Sequence, residues 1–268
     1  MKGRPSPPRQ DPAFPRLSFD EYFPFPDPRG ADSLGVVCSG VNLSPGLLLS
    51  AYRQGIFPWF NENEPLLWWS PDPRFFLKPE ALHVSATMRK VLRRKNWDYA
   101  LDRDFEAVIR HCSSLPRKRQ RGTWITSDMV TAYIELHSLG FAHSVEVRLD
   151  ERLVGGFYGV SLGKVFFGES MFSHEDDASK AAFIPFVWLL ASQGFTLIDS
   201  QVYTDHLAGL GAVESSREDY LGLLAAALDA PTRRGNWGKL FPDFPETTEY
   251  RRVVIDGSPS LKKEKPRA

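Results

Sequence analysis

Asp199 and Gln201 stand two apart in "LIDSQV", within a run that otherwise reads as a buried strand. Side chains two apart on a strand share a face, so the carboxylate and the carboxamide are expected side by side, with Ile198, Ser200 and Val202 turned the other way. Burying such a pair is costly unless it is hydrogen-bonded. It could be a structural pair that holds a loop. It could also handle a proton: the acid polarises the amide, whose oxygen accepts a proton from an incoming amine. A third polar residue, Glu169, ends the apolar run "KVFFGES", and Glu175, Asp176 and Asp177 follow it. Glu169 could cap a turn or pair with Lys180; as a site residue it would anchor a cation such as Arg or Lys.

Other chemistries lack their residues. There is no GxSxG, and neither Cys38 nor Cys112 has a base nearby in sequence, so covalent catalysis has no candidate. His174 and His206 do not stand at ligand spacing from Asp176 or Asp205, so no metal is expected, and no cofactor. Two distant cysteines without a CxxC argue against a disulfide framework and fit a reducing compartment. No apolar run approaches the ~20 residues that span a bilayer. The basic start "MKGRPSPPRQDPAFP" has no apolar h-region. A soluble, cytoplasmic protein with no membrane partner is expected.

Charge is balanced overall, 33 basic against 33 acidic side chains, but unevenly placed. Residues 81–124 hold 11 Lys and Arg against 4 Asp and Glu; residues 125–211 hold 4 against 11. Two solvated faces would explain this. So would two charged partners, a polyanion and a cation. The basic side contains "MRKVLRRKNW" and "PRKRQRGTW", each closed by a tryptophan (Trp97, Trp124), a combination suited to an RNA backbone with an unstacked base.

These residues must be positioned by an α+β arrangement. Residues 1–13 and 247–268 read as disordered tails, the second one basic, and residues 14–72 as a small N-terminal domain. The clear helix of that domain is "SPGLLLSAYRQG", with Ser44 at the N-cap and Gly55 as the stop; the proline- and aromatic-rich segment after it reads as rigid and non-regular. Residues 73–246 follow the order helix, three antiparallel strands, helix, strand, helix. The second helix, "EDDASKAAFIPFVWLLASQG", is expected to carry its acids in the first turn and to kink at Pro185. This order matches acetyltransferase-like (GNAT-like) folds. The turn into the second helix, however, has no glycine after Gly168 and is acidic, which argues against an acyl-CoA diphosphate there.

The blocks "AYRQGIFPWF", "LWWSPDPR", "GTWIT", "GGFYGVSLG", "FFGESMFS", "ASKAA", "LIDSQV" and "DHLAGLGA", in this order, resemble the leucyl/phenylalanyl-tRNA–protein transferase family. The resemblance implies a small N-terminal domain ahead of the acetyltransferase-like one. It implies transfer of Leu, and also Phe or Met, from aminoacyl-tRNA to proteins with an N-terminal Arg or Lys, marking those proteins for degradation; a monomer is expected. It also implies residue roles. Trp59 and Trp124 would hold the terminal adenosine, and Phe157, Phe166, Phe183, Phe186 and Ile198 would form the amino-acid pocket. Asp199 and Gln201 would form the proton relay, and Glu169 the acceptor-side carboxylate. Arg89, Lys90, Arg93, Arg94 and Lys95 would meet the acceptor stem. Phe157 and Phe183 depart from the Met and Leu commoner in the family, which predicts a shorter, stiffer pocket favouring Leu. The alternatives are a non-catalytic RNA- or peptide-binding module and an acyl-CoA-dependent N-acetyltransferase.

Overall fold

The structure, a computed structural model, describes residues 14–61, 64–114 and 125–256. Two sheets organise it. The smaller, ahead of Pro73, joins β1 (Val36–Ser39), β2 (Phe57–Pro58) and β3 (Leu67–Trp69) in the order β1-β3-β2. The segment expected to be non-regular therefore contributes two short strands, β2 and β3. Of its four prolines, Pro58 falls in the two-residue edge strand, where a missing N–H costs no ladder bond, and the central strand "LWW" has none. Between β1 and β2 lies α1 (Pro45–Arg53), buried along nearly all its length. Ser44 precedes it as expected but does not cap it; the hydroxyl instead accepts from the N–H of Leu17 at 3.0 Å and ties down the incoming chain.

The larger sheet contains β4 (Arg74–Leu77), β5 (Asp98–Leu101), β6 (Ala142–Leu149), β7 (Arg152–Leu162), β8 (Val165–Ser173), β9 (Leu197–Asp199) and β10 (Val213–Ser215). Their order is β10-β4-β9-β8-β7-β6-β5, antiparallel except for β8 beside β9. Helices cover both faces, and the strands alternate between two apolar clusters. Phe166 and Ile198 join the cluster around α2 (Ala86–Arg94) and α5 (Ala178–Ser192). Val165, Phe167 and Leu197 join the one around α1, α3 (Phe105–Ser114), α4 (Ser127–Ser138) and α7 (Arg217–Leu228), which follows the single turn α6 (Asp205–Ala208). This period of two decides which side of the sheet each site residue reaches.

α5 runs unbroken through Pro185 and is apolar on every side, as a helix enclosed by the fold must be. Its acids are not in its first turn. Glu175, Asp176 and Asp177 precede it, Asp177 in a left-handed conformation (φ 67°), and the hydroxyl of Ser173 accepts from the N–H of Ser179. The acidic loop bends the chain from β8 into the helix. The C-terminal expectation also needs correcting. Residues 248–255 are helical, Val253 is fully buried, and its carbonyl accepts from Nε of Arg93 at 2.9 Å, so this part of the basic tail packs on α2. No helix among the described residues is long and apolar enough to cross a membrane.

Candidate active site

β8 and β9 pair only over residues 165–167 and 197–199 and then diverge, while β8 stays paired with β7 as far as Ser173. The split opens a cleft of about 450 Å³ between residues 168–173 on one side and 200–204 on the other. Phe57, Trp59, Phe157, Phe166, Phe183 and Ile198 give it an apolar wall. Phe157, Phe166 and Phe183 meet edge to face, and Phe186 stands behind them, its ring 5.2 Å from Phe157 and 4.8 Å from Phe166. An apolar pocket with few polar groups at its rim suits a small apolar substrate group.

Glu169 enters this cleft because β8 is bulged. Tyr158 faces Ser170 and Gly159 faces Gly168, so Glu169 is the extra residue, without a partner on β7. The bulge needs Gly159: a Cβ there would stand 2.1 Å from the carbonyl oxygen of Phe167. Glu169 lines the cleft and accepts hydrogen bonds from the hydroxyls of Tyr52 (2.6 Å) and Tyr133 (3.0 Å), whose oxygens also lie against each other. Burial pushes the Glu169 carboxyl up to about 7, the two phenols pull it down, Asp199 adds to the rise and Arg74 opposes it. Burial and the Glu169 charge in turn raise both tyrosines well above 10, so they remain O–H donors. Lys180 does not pair with Glu169; its ammonium lies 3.7 Å from Asp177.

Asp199 and Gln201 are not side by side. β9 ends at Asp199, which points to the α7 side of the sheet, fully buried. There Arg74 clasps it through Nε at 2.9 Å and Nη2 at 2.6 Å, and the Tyr220 hydroxyl donates at 2.8 Å. Burial disfavours the Arg74 charge, but Asp199 more than offsets this and leaves the guanidinium held more firmly charged than usual. Gln201 takes a left-handed conformation (φ 59°), which breaks the strand alternation and turns its side chain into the cleft with Ile198. Asp199 therefore meets the backbone N–H of Gln201, at 3.0 Å, and not its amide. The Gln201 amide nitrogen is buried at the cleft without a partner among the described residues.

Trp59 borders the cleft, its ring 5.4 Å from Trp69, whereas Trp124 and the run "PRKRQRGTW" lie outside the described residues. The other run forms α2 and its end. Arg89 and Lys95 are partly covered, and Lys90, Arg93 and Arg94 are exposed; Arg89 donates to the carbonyl of Val84 and Lys95 to that of Asp176. Trp97 is buried under the helix with Lys95 over its ring, so it offers no free face to a base. Sequence reasoning missed Tyr52, Tyr133, Arg74 and Tyr220. The first two are visible only as the polar members of buried helix faces, beside Leu48 and Met129. Arg74 shows as a lone charge opening the apolar strand "RFFL".

The α+β sheet is thus split to form an apolar cleft with a carboxyl group and a carboxamide at its polar end, and the same chain carries a basic helix. Residues 76–225 match the family model for leucyl/phenylalanyl-tRNA protein transferase, and residues 41–72 match that for its N-terminal domain. Relatives bearing that name include those of Syntrophus aciditrophicus (54% identical over 80% of this chain and 88% of the relative) and Anaeromyxobacter sp. strain Fw109-5 (53%, 80% and 91%). That of Maridesulfovibrio salexigens is 48% identical over 87% of this chain and 97% of its own length. The chain belongs to the leucyl/phenylalanyl-tRNA protein transferase family and is an aminoacyltransferase. Among solved structures, L-PGS from Bacillus licheniformis is similar at 13% identity over 51% of this chain and 48% of its own, with a TM-score of 0.35, too slight a likeness to build on.

Proposed function

We propose that the protein moves an aminoacyl group, Leu in preference to Phe or Met, from the 3′ end of aminoacyl-tRNA to the α-amine of a polypeptide beginning with Arg or Lys, tagging it for degradation. The amine nitrogen attacks the ester carbonyl, the C–N bond forms as the bond to the ribose oxygen breaks, and a proton passes from the amine to the departing oxygen. An ester is already activated, so positioning and handling of that proton are what the protein must supply. The observation that carries this reading is one cleft holding an apolar wall, the Gln201 amide, whose nitrogen has no partner among the described residues, and the Glu169 carboxylate.

In this reading Phe157, Phe166, Phe183 and Ile198 receive the donor side chain, with Phe186 backing them, and Trp59 stacks on the terminal adenosine beside Trp124. The Gln201 oxygen receives the attacking amine, Asp199 supports it from behind, and Glu169 faces the acceptor's cation. The fold is acetyltransferase-like, a view supported by the split of β8 from β9. Acyl-CoA is disfavoured as donor because Glu175, Asp176 and Asp177 lie where its diphosphate would approach α5. The proposed setting is the cytoplasm, and the working unit a monomer.

Acceptor choice tests this reading. Peptides beginning with Arg or Lys should take up leucine and those beginning with Ala, Asp or Glu should not; equal labelling of an Ala peptide would refute the cation site. Because the Glu169 carboxyl titrates near 7, it is mostly neutral at pH 6 and charged at pH 8. Use of the Arg peptide should therefore rise across that interval, and Glu169→Gln should flatten the rise while leaving Leu-tRNA affinity unchanged. The sign for stability is opposite. A raised carboxyl favours the fold below its unfolded value of 4.5, and that contribution is lost as pH climbs through 7, so Glu169→Gln should gain on wild type in melting experiments at pH 8.

The RNA side is tested best through Lys90 and Arg94, since Arg93 also holds Val253. Lys90→Ala with Arg94→Ala should weaken tRNA binding and reduce the log–log salt slope by about 0.9 for each phosphate no longer neutralised. An unchanged slope would make α2 a solvated face. For the donor, the rigid rings of Phe157 and Phe183 resist displacement by a third ring, so Leu should exceed Phe by roughly 10–200-fold in competition. Phe157→Met should narrow that ratio; if it does not, the rings do not set the preference.

A further inference from the structure

Asp199 directs its hydrogen bonds into the fold. Arg74 engages both carboxylate oxygens, Tyr220 donates to Oδ2, and the N–H of Gln201 donates to Oδ1. Arg74, Asp199 and Tyr220 are fully buried and none of them lines the cleft. The same guanidinium donates through Nη1 to the carbonyl of Gly55 at 3.2 Å, just ahead of β2 and Trp59. One buried arginine thus holds both the chain that leads to Trp59 and the end of β9 that leads to Gln201.

We infer that Arg74 and Tyr220 are positioning residues for the transfer reaction: they lock Asp199 as a fixed acceptor that keeps Gln201 in its left-handed conformation with its amide in the cleft, and Arg74 ties the Trp59 segment to the same anchor. The inference rests on the reaction proposed above. A guanidinium fork matches a carboxylate in two parallel bonds and fixes its plane, which a lysine ammonium does not. A left-handed conformation at a residue other than glycine persists only where its surroundings over-determine it. Here the N–H of Gln201 is held by Asp199, and its carbonyl accepts from the N–H of Phe75 at 3.2 Å. Asp199 on this account shapes the site through the backbone and exchanges no proton with substrate.

Tyr220→Phe keeps the ring and removes one hydrogen bond. In single-turnover transfer from Leu-tRNA to an Arg-starting peptide, its saturated rate should fall about 10-fold, with half-saturating concentrations of both substrates within about twofold of wild type. The second arm rebuilds a neutral pair. Arg74→Gln and Asp199→Asn should each slow transfer at least about 100-fold, and the double variant should recover at least about 10-fold over Asp199→Asn, all at temperatures where circular dichroism shows the fold intact. A wild-type rate in Tyr220→Phe overturns the inference. So does a double variant no faster than Asp199→Asn, which would assign the Asp199 charge to the chemistry itself. Failure of the wild type to transfer leucine at all is a separate result, and refutes the reaction rather than the positioning.

Discussion

Gln201→Ala is expected to lower the rate of aminoacyl transfer about 100-fold while leaving affinity for Leu-tRNA within about twofold, the signature of a group that acts only in the transition state. The reasoning is geometric. Gln201 is the polar residue whose side chain follows β9 into the cleft against the strand's alternation, and its amide nitrogen has no partner among the described residues. A buried amide left open is costly unless a ligand completes it. Truncation removes nothing that holds the adenosine or the apolar side chain, so donor binding should survive. The check is pre-steady-state transfer beside equilibrium binding. Loss of affinity without loss of rate would make Gln201 a binding residue, and no change in either would make it structural.

Arg74→Met is expected to cost about 3–5 kcal/mol of stability, because it leaves the Asp199 carboxylate buried with its guanidinium partner gone. The corresponding fall in melting temperature is about 6–20 °C, at roughly 2–4 °C per kcal/mol for a chain of this size class. Adding Asp199→Leu should restore most of the loss, since replacing both members of a buried ion pair by apolar groups is often neutral. Denaturant titration of the four proteins of this cycle measures it. A single variant as stable as wild type would show that water reaches Asp199 and that the clasp is not the closed unit described above. The stability and rate measurements are separable, because the double variant with Leu at 199 should be folded and yet unable to hold the N–H of Gln201.

Much of the sheet and its helices was legible because it is periodic. "HSVEVRL", "RLVGGFYGV" and "KVFFGES" are long enough to pair with one another, and the helix of residues 127–138 keeps a 3.6 period up to Gly140. The short strands β1, β2, β3 and β10 have too few residues for alternation to show, and their pairing is set by tertiary packing. Alternation itself misplaced Asp199 and Gln201. It holds only while the strand lasts, and β9 stops between them. Glu169 was found as an acid out of place in an apolar run, but the bulge that aims it depends on register with β7, which no single strand encodes. Arg74, Tyr52, Tyr133 and Tyr220 come from four separate elements, β4, α1, α4 and α7, and only the folded chain brings them to Asp199 and Glu169.

The most direct test of the account is transfer itself. The purified protein is incubated with an Arg-starting peptide and either tRNA charged with radiolabelled leucine or radiolabelled acetyl-CoA, and the peptide is then isolated. Label should appear on the peptide's α-amine from Leu-tRNA alone, and should be lost when the peptide's N-terminus is blocked. Label from acetyl-CoA, or none from either donor while Leu-tRNA still binds, would contradict it: the first would make the protein an N-acetyltransferase, the second a binding module on the same scaffold.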